Sequence, residues 1–240
     1  MRIVSLVPSI TEALFDFELD ETAIVGRTKF CIHPAEKVES VSVIGGTKNL
    51  NIRKIKDLRP DLIIANKEEN EKDQVSELMK DHLVWVTDIK NLDDNQKFLT
   101  DLGEIIGKHE LAEKYNKKIA DIFADLTGEK QIKAAYLIWA NPYMTVGADT
   151  FIHDIMSGLG FKNIFGDRNR YPEITVEGLK DAEYVLLSSE PFPFRQKHAS
   201  ELQRQLPHSK IIFVDGEAFS WYGTHLQKCG HYFKSLLSTC

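Results

Sequence analysis

The residues of this chain that could bind a ligand follow short apolar runs such as Leu62-Ile63-Ile64. Such runs are typical of buried parallel strands, and in a parallel sheet the loops after the strands carry the ligand-binding side chains. Flat aromatic walls suit a large planar ligand better than a small reacting one. The predicted ligand contacts are Pro8, Phe30, Gly46, Asn66, Lys67, Tyr143, Met144, Tyr171, Phe219, Trp221 and Tyr222.

Each of these aromatic residues alone is more often part of a core than of a ligand wall. Trp221 and Tyr222 are the exception, because they lie in a loop between Gly216 and Gly223. We therefore expect Trp221 and Tyr222 to be exposed toward the ligand.

Catalytic and metal-binding motifs are scarce. The sequence has no nucleophile elbow, no P-loop and no dinucleotide-binding glycine pattern. His33 and His225 are the candidates for metal ligation, but neither has a second histidine at ligand spacing. Cys31 lacks an acid–base partner nearby. We predict no catalytic residue and no resident metal or covalent cofactor.

The chain repeats one structural pattern. Lys56-Asp57-Leu58-Arg59-Pro60-Asp61 precedes one buried strand, and Lys180-Asp181-Ala182-Glu183 precedes another. Each half opens with a strand that leads to a proline and closes with a second apolar strand. In the first half, Ser9 and Glu12 have the spacing of a helix capping box. The predicted fold is α/β, with two similar Rossmann-like lobes and a cleft between them.

The middle of the chain is helical in pattern. Apolar residues recur at helical spacing from Leu92 to Ile106 and again from Glu110 to Leu126. We expect the second helix to be a stiff connector between the lobes. The predicted organisation is an N-terminal lobe over 1–90, a helical segment over 91–130 and a C-terminal lobe over 131–240.

Composition restricts the function classes. The 240 residues carry a net charge of −6, which argues against nucleic-acid binding. No apolar stretch approaches the roughly 20 residues that span a bilayer. Met1 and Arg2 lead directly into the first strand without a secretory signal. We therefore expect a cytoplasmic protein if Met1 is native, and a periplasmic or extracytoplasmic one if a signal was removed. The three cysteines form no disulfide framework.

Several segments together resemble a known family. Ile3-Val4-Ser5-Leu6-Val7-Pro8-Ser9, Gly45-Gly46-Thr47 and Leu58-Arg59-Pro60-Asp61-Leu62, with the long central helix, resemble the cobalamin- and iron-siderophore-binding proteins of ABC importers. The resemblance covers essentially the whole chain. It is closest to the cobalamin branch through Asn141-Pro142 and Tyr171-Pro172. It implies two lobes joined by one backbone helix, the class III periplasmic-binding-protein architecture, and no catalysis.

The resemblance also implies roles for individual residues. Pro8, Phe30, Met144 and Tyr171 would line the pocket, and the run from Phe219 to Tyr222 would form its C-lobe side. Acidic residues would meet the membrane permease, and the candidates are Glu71, Asp73 and Glu190. Some members link the C-terminal helix to an earlier helix by a disulfide. Cys229 has the first position here, and Gly158 or Gly160 has the partner's.

The leading hypothesis is a monomeric solute-binding protein that takes a metal-containing macrocycle, most simply cobalamin or another corrinoid, to an ABC permease. A ferric siderophore or haem is the alternative ligand within the same fold. A second hypothesis is a cytoplasmic enzyme or chaperone that handles a tetrapyrrole or a metal through Cys31, His33 and Glu68. A third is an interaction module that contacts a protein through Glu71 and Glu190.

Overall fold

The computed structural model describes residues 1–126 and 131–240, and these form two compact units. Unit 1 contains Met1–Ile89, Asp93–Ile119 and Tyr222–Lys228. Unit 2 contains Lys90–Leu92, Ala120–Trp221 and Cys229–Cys240. Residues 127–130, the end of the predicted 91–130 segment, lie outside the described residues. Within the described part of the chain, no helix has both the length and the apolarity that a bilayer span requires.

Unit 1 is built on a five-stranded parallel sheet in the order β3-β2-β1-β4-β5. The strands are β1 Ile3–Ser5, β2 Ile24–Arg27, β3 Ser42–Val43, β4 Leu62–Asn66 and β5 Val84–Thr87. The helices are α1 Pro8–Asp16, α2 Ala35–Val38, α3 Ile52–Asp57, α4 Lys72–Leu78 and α5 Leu92–Ile106, followed by α6 His109–Leu126, which continues into unit 2. Every residue of β1 and β4 is buried, as the apolar pattern predicts for central parallel strands.

Unit 2 repeats this order of parallel strands and adds inserted antiparallel strands. Its strands are β6 Ile132–Trp139, β7 Tyr143–Thr145, β8 Phe161–Asn163, β9 Glu173–Ile174, β10 Tyr184–Ser188 and β11 Lys210–Val214. Strands β8, β6, β10 and β11 are parallel neighbours in the same order as β2, β1, β4 and β5. The inserted β7 pairs antiparallel with β6 and β9. The helices are α7 Phe151–Gly158, α8 Gln196–Gln205, α9 Gly216–Ser220 and α10 Gly230–Thr239, with a 3₁₀ helix at Val176–Leu179. A second 3₁₀ helix, Gly223–Lys228, belongs to unit 1.

The start of α1 corrects one sequence prediction. The helix begins at Pro8, and Val7 is its N-cap without a side-chain hydrogen bond. Proline is well suited to the first helical position, because the missing N–H would have no partner there. The predicted capping box of Ser9 and Glu12 does not form, since both residues lie inside the helix and are buried.

Candidate functional site

The carboxyl end of the unit 1 sheet is organised by two buried asparagines. The Asn66 amide oxygen accepts hydrogen bonds from the backbone of Glu68 and Glu69 at 2.8 and 3.2 Å, and its nitrogen donates to Thr87. Asn66 is 2% exposed. Its side chain therefore fixes the turn after β4, and its contact with a ligand stays a prediction.

Asn70 holds three loops together beside that turn. Its side-chain nitrogen donates to the carbonyl oxygens of Leu6 and Thr47 at 3.1 and 3.0 Å, and its oxygen accepts from the Asn66 backbone at 2.9 Å. Asn70 is buried, so these bonds lie away from water, where the loss of a partner is costly.

The loop after β2 displays an aromatic ring. Phe30 is 49% exposed, and the Lys29 ammonium lies 5.0 Å from the centre of its ring. The Arg27 side chain supports the loop from inside by donating to the carbonyl oxygens of Thr28 and Cys31. Gly46 is buried beneath Phe30, where an added Cβ would lie 3.2 Å from the ring. The structure thus brings Phe30 and Gly46 together.

Pro8 and Lys67 lie at the same end of the sheet, directly after β1 and β4. Pro8 is half-buried as the first residue of α1. Lys67 is exposed, and its ammonium is 2.9 Å from Asp88. Exposed ion pairs of this kind contribute little to stability.

In unit 2, Tyr143 and Met144 lie on β7, which returns along β6 after a turn at Asn141. Both side chains are half-buried. Asn141 has a φ of 62°, in the left-handed region that asparagine tolerates better than most residues. Tyr171 is also half-buried, and the Arg170 guanidinium lies 5.6 Å from the centre of its ring.

The predicted exposure of Trp221 and Tyr222 is wrong. Trp221 is 8% and Tyr222 is 6% exposed, and Phe219 is fully buried against Tyr136 and Phe233. Phe219 therefore packs in the core of unit 2. Tyr222 belongs to unit 1 and not to the C-terminal side of a site, since its ring packs edge-on against Phe98. The aromatic pattern in sequence could not separate core packing from a ligand wall.

Tyr222 begins a segment, Tyr222–Lys228, that is joined to α1 through the buried carboxylate of Glu12. Glu12 accepts hydrogen bonds from His225 and Lys228, both at 2.7 Å, and its side chain is 4% exposed. Asp16 accepts from Thr224 at 2.6 Å. Burial alone raises the pKa of Glu12, but the hydrogen bonds and charges of His225 and Lys228 outweigh it and hold the pKa below its usual value.

The acidic docking candidates differ in environment. Glu71 and Asp73 are exposed at the start of α4, and Glu71 lies 3.7 Å from Lys48. Glu190 is half-buried and accepts hydrogen bonds from Ser220 at 2.9 Å and from the Trp221 indole at 3.2 Å. Burial raises the pKa of Glu190 although these two bonds oppose the shift. Glu190 is thus more enclosed than Glu71 and Asp73.

In the part of the chain that the structure describes, Cys31, His33 and Glu68 of the enzyme hypothesis form no metal-binding group. Cys31 is fully buried between the hydroxyls of Thr11 and Thr28, and burial raises the pKa of its thiol. The rings of His33 and His225 are 6.3 Å apart, but His225 bonds to Glu12. Over residues 1–126 and 131–240, no three His, Cys, Asp or Glu side chains are arranged to hold a metal ion. Cys229, whose counterpart in some members of the resembled family is disulfide-bonded, is buried and not disulfide-bonded here.

Solved structures show which fold the chain has. The fold matches the periplasmic vitamin B12 binding protein BtuF of Vibrio cholerae with a TM-score of 0.83 and 18% identity, over 99% of this chain and 96% of that one. The heme-binding protein HutB of Vibrio cholerae gives a TM-score of 0.79 at 18% identity, over 98% of each chain. The predicted α/β fold of the class III periplasmic binding proteins is therefore confirmed.

Comparison of the amino-acid sequence with family profiles identifies the family. A profile described as periplasmic binding protein matches residues 3–205, and the chain therefore belongs to that family. A Vitamin B12-binding protein of Vibrio cholerae is 24% identical over 204 residues, which cover 82% of this chain and 71% of that protein.

A Bacillus subtilis protein named as an uncharacterized ABC transporter substrate-binding lipoprotein, YvrC, is 28% identical over 193 residues. That match covers 74% of this chain but only 60% of the Bacillus protein. The family resemblance inferred from Ile3–Pro8 and Leu58–Leu62 is confirmed.

Proposed function

We propose that this chain is an extracytoplasmic solute-binding protein that captures a metal-containing macrocycle and delivers it to an ABC importer without transforming it. Membership of the periplasmic binding protein family supports the binding role. The names of relatives that bind vitamin B12 or heme support the ligand class. A corrinoid and a haem are both consistent with these relatives, and the experiment below distinguishes them.

The observation that carries the proposal is the exposed aromatic residue after a parallel strand in unit 1. Phe30 is 49% exposed on a loop whose backbone is fixed by Arg27 and whose base is closed by Gly46. An apolar ring held at the carboxyl end of a parallel sheet is placed where ligands of α/β proteins bind. The Lys29 ammonium beside this ring, and that of Lys67 after β4, add positive charge at this end of the sheet for an acidic side arm of a ligand.

Calorimetric titration of the purified chain with cyanocobalamin, hemin and a ferric hydroxamate siderophore tests the proposal. We expect one of the two macrocycles to bind at about one molecule per chain. Phe30→Ala removes an exposed ring contact, so it should weaken that binding by about tenfold.

Met79→Ala is the matched control, because Met79 is 48% exposed but lies at the end of α4, away from the carboxyl ends of the strands. The Met79→Ala variant should bind the macrocycle with the same affinity as the wild type. Absence of heat with both macrocycles, or equal losses in the two variants, would contradict the proposal.

Glu71→Lys and Asp73→Lys test the permease partner separately. Both residues are exposed, so the substitutions should leave ligand affinity unchanged and reduce uptake by a reconstituted importer through charge reversal. Unchanged uptake in both variants would remove these residues from the docking surface.

A further inference from the structure

Unit 2 carries an exposed tryptophan that the sequence interpretation did not include. Trp139 is the last residue of β6 and is 41% exposed, although the five residues before it are buried. We propose that the Trp139 indole is a stacking platform for the flat conjugated ring of the ligand. This inference rests on the proposed function and extends it, since it specifies a tetrapyrrole-type macrocycle and not a metal chelate that lacks a planar ring.

The position of Trp139 is set by the strand and by the turn that follows it. Parallel α/β sheets bind ligands at the carboxyl ends of their strands, and β6 ends at Trp139 in the middle of its sheet. The left-handed Asn141 then reverses the chain, so that Met144 of β7 pairs with Trp139. Met144 is half-buried, and a polarizable thioether is a favourable neighbour for a conjugated ring.

Other aromatic rings of unit 2 fix the orientation of the Trp139 indole. Its ring lies edge-on to Phe192 with 5.5 Å between ring centres. Phe192 in turn contacts Phe194 at 4.8 Å and His198 at 5.2 Å, and Phe194 is buried in the unit 2 core. A side chain that is already fixed loses little conformational entropy on binding. Trp139 therefore combines an open ring surface with a fixed orientation.

The two other tryptophans provide internal references. Trp85 stacks on Phe98 with 5.5 Å between ring centres, and Trp221 is 8% exposed with its N–H bonded to Glu190. Trp139 is thus the tryptophan whose ring is most open to a stacked ligand. This difference allows Trp139 to be followed in the intact chain.

Fluorine NMR of the full chain labelled with 5-fluorotryptophan tests the inference without a substitution in the observed protein. Three resonances are expected from the three tryptophans, and the spectrum of Trp139→Phe assigns one of them. Saturation with cyanocobalamin or with gallium protoporphyrin, both diamagnetic, should shift the Trp139 resonance more than the other two. A Trp139 resonance that does not move while calorimetry shows binding would overturn the inference.

Affinity gives a second readout. Trp139→Ala should weaken macrocycle binding by about tenfold, and Trp139→Phe, which keeps a stacking ring, by less than about threefold. Phe213→Ala is the control, because Phe213 is 45% exposed on β11 of the same sheet. It should bind within about twofold of the wild type. Equal losses in Trp139→Ala and Phe213→Ala would overturn the inference.

The outcomes separate this inference from the proposed function. If the wild-type chain binds a macrocycle and Trp139→Ala binds it equally well, the function stands and the platform does not. If the chain binds the ferric hydroxamate and neither macrocycle, the chain remains a solute-binding protein but the inferred ligand class is wrong. If it binds none of the three, both proposals fail.

Discussion

Replacement of Glu12 by glutamine should destabilise unit 1 far more than the replacement of an exposed glutamate on a helix would. The Glu12 carboxylate is 4% exposed and joins α1 to the returning segment Tyr222–Lys228 through His225 and Lys228, each at 2.7 Å. Glutamine keeps the size and one acceptor oxygen but removes the negative charge. The variant therefore isolates the electrostatic part of this connection.

The magnitude follows from the two hydrogen bonds. A hydrogen bond to a charged group contributes about 1.5–3 kcal/mol. Lys228 is 46% exposed, and its ammonium also lies 3.0 Å from Asp16. When Glu12 is neutral, water and Asp16 therefore replace most of the free energy that the Glu12–Lys228 bond contributes. The bond to His225, which is 13% exposed, dominates. We expect Glu12→Gln to lose about 2 kcal/mol, which lowers the melting temperature by about 4–8 °C for a chain of this size.

The pH dependence provides the assay. The folded-state pKa of Glu12 is lowered, so the carboxylate contributes stability above its unfolded pKa of about 4.3 and loses it as the pH falls through the folded value. Thermal unfolding of wild type and Glu12→Gln, followed by circular dichroism, should differ most near pH 6–7. The difference should shrink as the pH falls below about 4.3, because the unfolded chain then binds a proton at Glu12 that the folded carboxylate does not bind until a lower pH.

Glu18→Gln is the matched control. Glu18 also accepts from a lysine at 2.9 Å, but its side chain is 66% exposed, so its removal should leave the melting temperature unchanged. The reasoning is refuted if Glu12→Gln and Glu18→Gln melt alike, or if the Glu12→Gln difference is the same at pH 7 and at pH 3.5.

Three further predictions concern side-chain burial and folding stability. Asn70→Ala leaves two buried carbonyl oxygens without their donor, so urea unfolding should show a loss of about 2 kcal/mol; an unchanged midpoint would contradict the role of this amide. Cys31 should resist Ellman's reagent in the folded chain, while Cys240, which is only partly buried, reacts first. Mass spectrometry of the labelled peptides gives the order of reaction, and labelling of Cys31 before Cys240 would contradict the prediction. Gly223→Ala should lower stability by about 1 kcal/mol because the residue has a φ of +84°, and a neutral result would contradict the strain argument.

Much of the fold was predictable because local pattern and burial agree. The apolar spacing from Leu92 to Ile106 gave the bounds of α5, and the two buried runs after Pro60 and Asp181 gave β4 and β10. These elements bury one face or a whole strand, so periodicity alone identifies them. The β7–β9 insertion was not predicted, since two- and three-residue strands leave no periodic signal.

The site was less predictable because its residues depend on contacts distant in sequence. Glu12 has the spacing of a capping box but bonds to His225, 213 residues away. Asn66 follows a strand as a ligand contact would, yet its amide is used by the turn. Trp139 ends a strand directly after the buried Ile138, and the burial pattern of the fold distinguishes the two residues. Local spacing contains no information on which partner a side chain finds across the fold.

Equilibrium dialysis tests the central claim most directly. The purified chain is dialysed against equal concentrations of cyanocobalamin, hemin and a ferric hydroxamate siderophore, and the retained compounds are identified by their absorption spectra. The account predicts that one macrocycle is retained at about one molecule per chain, and that the Phe30→Ala, Trp139→Ala double variant retains much less. Retention of neither macrocycle by the folded wild-type chain would contradict it.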